Sequence, residues 1–207
     1  MKLILCFLLL VGGSLTATAQ TDTTGYLADI THYQQTLNEE YADPKTSPLL
    51  PQDRKQFRRL PFYPIDVRYR IVAEFVRTPG SPPFAMPTSN PRRTIYEKYG
   101  EARVTINDTT YQLPIYQSHE LRATKKYRNH LFLPFTDLTS GDETYGGGRY
   151  LELTIPEGDS ITIDFNKAYH PYCAYNPKYA CPIPPKENHL PIAIRAGVRL
   201  EEDPSTP

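Results

Sequence analysis

Apolar side chains recur at helical spacing near the start of the chain. Tyr26, Ile30, Tyr33, Leu37 and Tyr41 fall on one stripe, which predicts a helix over residues 22–42. Thr23 or Thr24 is placed to cap its start, and Pro44 prevents its continuation. A proline-rich connection, TSPLLP, follows, and then Arg54, Lys55, Arg58 and Arg59, which read as a solvated basic face. From Ile65 the period changes to two: Val67, Tyr69, Ile71, Ala73 and Phe75 alternate with Arg68, Arg70, Val72, Glu74 and Val76, as in a half-buried strand. Further strands are expected at Arg93–Tyr99, around Ala102, Val104 and Ile106, at Tyr111–Ile115, Leu131–Phe135, Tyr150–Ile155 and Ile161–Phe165, and around Ile192–Ile194, with Val198–Leu200 near the end. Asn107-Asp108 supplies a hairpin turn. Pro156–Asp159 is expected to do the same, making Tyr150–Ile155 and Ile161–Phe165 antiparallel neighbours with Arg149 and Asp164 at one end of the sheet. Short strands separated by turn signals predict a mainly-β fold: an antiparallel barrel or sandwich of about 7–8 strands with one N-terminal helix. No βαβ alternation, coiled coil or internal repeat is visible.

The first residues change the picture of where the protein resides. Lys2, the apolar run Ile4–Val11 and the small residues Ala17-Thr18-Ala19 have the layout of a secretory signal peptide over 1–19, cut before Gln20. Residues 20–207 are then a single β-rich domain, exported to the periplasm or secreted. The early run is too short to span a bilayer, and no later stretch approaches about 20 apolar residues, so no membrane span is expected. Lys and Arg total 23 and Asp and Glu total 23, a balance that offers no electrostatic case for nucleic acid. The 21 prolines and 16 tyrosines, with no tryptophan, favour turns and β structure over helical bundles.

Candidate chemistry concentrates in two runs. The first is Asp164–Asn188, DFNKAYHPYCAYNPKYACPIPPKEN, with both cysteines that follow the leader, four tyrosines and five prolines. The second is Thr144-Tyr145-Gly146-Gly147-Gly148-Arg149-Tyr150. In an oxidising compartment Cys173 and Cys181 read first as a disulfide, closing a small loop worth about 2.5 kcal/mol; free buried thiols and metal ligation are the alternatives. Three consecutive glycines allow backbone N–H groups to converge on an anion, with Arg149 as a clamp on carboxylate or phosphate. The same glycines equally suit a bulge or a tight crossing of chains. Tyr169, Tyr172, Tyr175 and Tyr179 could wall a ligand pocket or simply pack over a barrel mouth.

The motifs LFLPFTD, TYGGGRYLEL and DFNKAYHPYCAYNPKYACPIPPKENHLPI, with the later Ala196-Gly197, resemble the bacterial and archaeal domain-of-unknown-function family 1684. The resemblance spans nearly the whole chain after the leader and carries no activity with it. It implies one departure: where the family pattern reads Asn before Pro-Tyr-Cys, this chain has His170. His170, Cys173, Cys181 and His189 are a chemically sensible zinc set, but their spacing is that of no finger or ribbon, and a departure from the family pattern is a poor structural ligand. No metal and no cofactor are therefore predicted.

Three functional readings remain. The first is a non-enzymatic binding protein for a small or anionic ligand at the 144–150/164–188 surface, using Tyr145, Gly147, Arg149, Asp164, Asn166, Tyr172, Asn176, Glu187 and Asn188. The second is a hydrolase-like enzyme moving protons through Asp164, His170 and Glu187; no Gly-x-Ser-x-Gly elbow or recognisable cysteine nucleophile supports it. A structural envelope protein, whose Tyr/Pro surface only packs, is the third reading. Protein partners are not legible.

Overall fold

The computed structural model describes residues 23–201; the leader over 1–19 lies outside the described residues. Helix α1, Thr23–Ala42, buries Ile30, Leu37 and Tyr41, three members of the predicted stripe. After a short helix α2, Pro51–Gln56, the chain enters the sheet. Its strands are β1 Arg70–Arg77, β2 Phe84–Met86, β3 Thr94–Ile106, β4 Thr109–Ser118, β5 His130–Phe135, β6 Arg149–Thr154 and β7 Ser160–Asp164, with a one-turn helix α3 at His119–Arg122. All seven strands form one antiparallel sheet in the order β6-β5-β4-β3-β1-β7, with β2 added against β3. No described helix is long and apolar enough to cross a membrane.

Three local features differ from the sequence reading. The strands expected at Arg93–Tyr99 and near Ala102 are one strand, β3, interrupted by a bulge between Lys98 and Gly100. The bulge adds twist, and a Cβ at Gly100 would stand 2.5 Å from the Phe75 ring, so only glycine lets that ring lie across the bend. Val67 is in a 3-10 turn and exposed, because Asp66 caps that turn by accepting from the Arg68 N–H at 2.9 Å; the strand starts at Arg70. Ile192–Ile194 and Val198–Leu200 lie outside the strands and are held by isolated backbone bonds, such as Leu138 N to Ile192 O at 3.0 Å. By contrast Asn107 and Asp108, at φ 48° and 62°, make the tight turn between β3 and β4 as expected.

The expected hairpin between β6 and β7 does not form. β6 pairs with β5, β7 pairs with β1, and the two are the opposite edges of the sheet. The sheet curls into a half-barrel, so the edges face each other across a groove lined by Leu151, Thr154, Thr162 and Asp164 without a ladder between them. The free edge of β6 is instead taken by the 164–188 segment: Tyr150 and Tyr169 exchange backbone hydrogen bonds of 2.9 and 3.1 Å.

The main core lies on one face of the sheet: Ala73, Phe75, Val104, Leu113, Ile115, Leu131, Leu133, Phe135, Leu151 and Ile163 pack with Leu190, Ile194 and Ala196 of the C-terminal segment. The alternate positions of the β4–β6 half are also covered. Tyr116, Phe132 and Tyr150 pack with Met86, Tyr96 and Cys181 on the other face, beneath the tyrosine-rich strap.

The C-terminal segment is fastened by an ion pair. The Arg149 guanidinium, fully buried, donates to Ala196 O at 2.5 Å, Ile194 O at 2.7 Å and Asp137 Oδ2 at 3.2 Å, and its carbon lies 5.2 Å from the Phe135 ring centroid. Asp137 in turn accepts from Ile194 N at 2.6 Å and from the Thr139 hydroxyl at 2.8 Å. Asp137 is thus the carboxylate that Arg149 meets. Replacing Arg149 with Met strands a buried carboxylate and two backbone carbonyls. Chemical denaturation is expected to show a loss of about 3–5 kcal/mol; a change below about 1 kcal/mol would contradict this account.

Candidate functional site

Sequence reasoning singled out nine binding candidates, and the fold distributes them over separate places. Asp164 and Asn166 form a buried cluster that ties α1 to the sheet. Asp164 accepts from the Tyr26 hydroxyl at 3.0 Å and from Asn166 N at 3.1 Å, while Asn166 exchanges bonds with the Asp66 backbone at 2.8 and 3.0 Å. Glu187 and Asn188 meet at Tyr116, whose hydroxyl donates to Glu187 Oε1 at 2.5 Å and Asn188 Oδ1 at 3.1 Å; Asn188 Nδ2 donates to Pro114 O at 2.9 Å. Asn176 is buried and accepts from Lys178 N at 3.2 Å within its own turn. These side chains do the work of loop and element junctions.

The glycine run is a tight crossing. Gly148 has φ +86°, and a Cβ there would lie 2.4 Å from Phe135 O, so the backbone of one segment passes directly over the other. Gly147 is exposed, and a Cβ on it would strike the Tyr145 ring at 2.4 Å. With Arg149 spent on Asp137 and backbone carbonyls, the run holds no guanidinium for an anion.

Tyr145 leads to His170. The Tyr145 N–H donates to His170 Nε2 at 3.2 Å, which makes Nε2 an acceptor and places the proton on Nδ1, 3.3 Å from the Tyr175 hydroxyl. Burial, with the nearby Arg149 charge second, holds the imidazole down at a pKa of about 3. His189 is elsewhere, with Nδ1 3.0 Å from Thr136 Oγ1. Among the described residues no group of three or more His, Cys, Asp and Glu side chains is placed to hold a metal ion. Asp164, His170 and Glu187, the proposed proton-transfer set, bond to three different sets of protein groups.

Cys173 and Cys181 are free thiols in contact with each other's residues: the Cys173 N–H donates to Cys181 Sγ at 3.1 Å. Burial and the neighbouring Cys173 push the Cys181 thiol up to about 12. The Tyr145 hydroxyl lies 4.0 Å from Cys173 Sγ.

An open space lies beside this strap. A cleft of about 570 Å³ forms where α1, the far face of the sheet and the strap meet. Tyr33, Leu37 and Glu40 line it from α1; Tyr96, His130, Phe132, Tyr150 and Glu152 from the sheet; Leu121 and Tyr127 from the α3 region; and Tyr169, Tyr172 and Pro182 from the strap. Of the nine candidates only Tyr172 lies here, where it also packs edge-on against Tyr41 and Tyr179 at 6.2 and 5.2 Å. At the wall Glu152 accepts from the Tyr169 hydroxyl with one oxygen and pairs with His130 Nε2 through the other. The Tyr150 hydroxyl donates to Pro182 O, and Tyr33 donates to Lys167 O at 2.9 Å. Burial first, and the Glu152 charge next, raise the phenols of Tyr33, Tyr96 and Tyr169, Tyr96 to about 12.

Sequence reasoning missed His130 and Glu152. They are distant in the chain and meet only because Phe132 registers with Glu152 and His130 with Thr154 across β5 and β6. Their signal was the polar position that each short strand carries beside its apolar ones, legible only after the two strands are paired.

A curled antiparallel half-barrel braced by an N-terminal helix, with its own strap laid over one face, defines the class of protein. Residues 55–199 match the family model described as "Protein of unknown function (DUF1684)", and the chain belongs to that family. It is similar to an uncharacterized protein of Haloarcula marismortui solved by solution NMR, at 31% identity and a TM-score of 0.67, over 86% of this chain and 96% of that one. No curated protein matches it.

His170 carries a pH dependence. Its folded pKa, about 3, lies below the ordinary imidazole value of 6.5. Below that value the unfolded chain takes up the proton and the folded chain does not. Stability is therefore full above about pH 6.5 and falls as pH drops towards 3, by up to about 1.4 kcal/mol per pH unit. Denaturation of wild type and His170→Asn at pH 7 and pH 4.5 checks this: the variant is expected to lose less on acidification, and equal losses would contradict it.

Proposed function

We propose that this protein is an exported, non-enzymatic binding protein that holds a small ligand in the tyrosine-lined cleft. The observation that carries the reading is the cleft itself: about 570 Å³, walled by six tyrosines and one phenylalanine, with a few polar groups at fixed positions. That is the size and composition of a small-molecule site. The two runs singled out in the sequence contribute to it through Tyr150, Tyr169, Tyr172 and Pro182. Against the hydrolase reading stands the dispersal of Asp164, His170 and Glu187 among separate protein partners.

The binding test is a small-molecule screen by NMR on the protein without its leader. Hits are expected to shift resonances of Tyr127, Phe132, Tyr150 and Tyr172, and Tyr172→Leu, which keeps an apolar side chain in place, is expected to weaken them at least roughly tenfold (about 1.4 kcal/mol). Hits that map elsewhere, or a screen with none, would favour the structural envelope reading.

Export is supported by Lys2, the apolar run Ile4–Val11 and Ala17-Thr18-Ala19. In an oxidising compartment we expect Cys173 and Cys181, already in contact, to pass two electrons and two protons to a disulfide-exchanging oxidant and become a disulfide. Thiol titration of denatured, unreduced protein recovered from the compartment it is exported to is expected to find neither thiol free, and both thiols free would overturn it.

A further inference from the structure

We propose that the ligand of the cleft is an organic cation, an ammonium group on an apolar or aromatic body. This rests on the reading of the cleft as a ligand site and adds the sign of its charge.

Two carboxylates, Glu40 and Glu152, line the cleft, and none of its lining residues is Lys or Arg. Glu152 is oriented: Tyr169 and His130 each engage one of its oxygens, and its side chain remains about half exposed (45%). These two contacts fix where Glu152 stands while leaving part of its side chain open to the cleft.

The aromatic walls act in the same direction. Burial keeps the phenols protonated, and the Glu152 charge adds to that. Neutral tyrosine rings present negative π faces, and a cation over such a face is stabilised most where water is excluded. Two of the rings already carry exposed ammonium groups: Lys167 Nζ lies 5.9 Å from the Tyr33 centroid and Lys126 Nζ 4.9 Å from that of Tyr127. The rings left to a ligand are those of Tyr96, Tyr150, Tyr169 and Tyr172. An anion entering the cleft would shed its hydration against two carboxylates and find no guanidinium, since Arg149 is buried on Asp137. A neutral ligand would gain the apolar contacts alone.

The test titrates the protein by calorimetry with three probes of one shape class: benzyltrimethylammonium, its neutral carbon isostere neopentylbenzene, and phenylacetate. The cation is expected to bind roughly tenfold more tightly than the isostere, with phenylacetate weakest. That margin is expected to collapse in the Glu40→Gln/Glu152→Gln double variant; Glu40→Gln alone, at an exposed helix position, carries the same comparison if the double variant does not fold. Equal affinity for cation and isostere, a preference for phenylacetate, or a margin untouched by the carboxylate variants would each overturn the cation assignment and leave the cleft as a ligand site. Failure of all three probes to bind would instead remove the cleft reading on which the assignment rests.

Discussion

A buried guanidinium is tolerated only when its charge is answered, and Arg149 organises the C-terminal part of the chain on that condition. Burial pushes its pKa down, Asp137 opposes the shift, and carbonyls of Ile194 and Ala196 accept from its two terminal nitrogens, leaving Nε alone without a partner among the described residues. An isolated charge in that position would cost far more than the fold can spare. The segment from Leu190 to Val198 forms no strand in the sheet, yet its side chains complete the main core. What fastens it there is the ion pair and the backbone bonds around it.

That closure bears on the opposite face. Gly148, immediately before Arg149, lets the chain cross Phe135 closely enough for β6 to start in register with β5. β6 then presents Tyr150 to the second core and Glu152 to the cleft wall. Its free edge is occupied by Tyr169, so the strap is held by the same strand that the buried pair anchors. An unprotected edge strand would be a pairing hazard, and the strap removes much of it.

Tyrosine serves this architecture because its ring is apolar and its hydroxyl is not. Tyr169 and Tyr172 pack against both the strap cluster and the cluster formed by α1 with Leu49, Leu60 and Val198. Tyr26, Tyr33 and Tyr116 each bury part of a ring while donating to a distant segment: Asp164, Lys167 O and Glu187. A chain with no tryptophan and sixteen tyrosines thus joins its helix, sheet and strap through hydroxyls that reach across layers. The same residues leave a cavity where three layers fail to interlock completely, and its walls are aromatic for that reason.

Side-chain spacing and local φ preference determined α1, the strand character of β1, β3, β4, β5, β6 and β7, and the turn at Asn107-Asp108, since each is settled within one segment. The family membership was likewise legible in contiguous motifs. Which strands pair was not. A short turn at Pro156–Asp159 favours a hairpin locally, but the curl of the sheet and the packing of β5 on β6 decide the pairing, and those energies arise between segments far apart in sequence. The fate of Arg149 was decided the same way: a guanidinium beside three glycines suits an anion site until a carboxylate from the preceding loop and two carbonyls from the C-terminus converge on it. His130 and Glu152 became visible only once β5 and β6 lay side by side. A site assembled from α1, the sheet and the strap has no signature in any one stretch, because its physical definition is the space left between them.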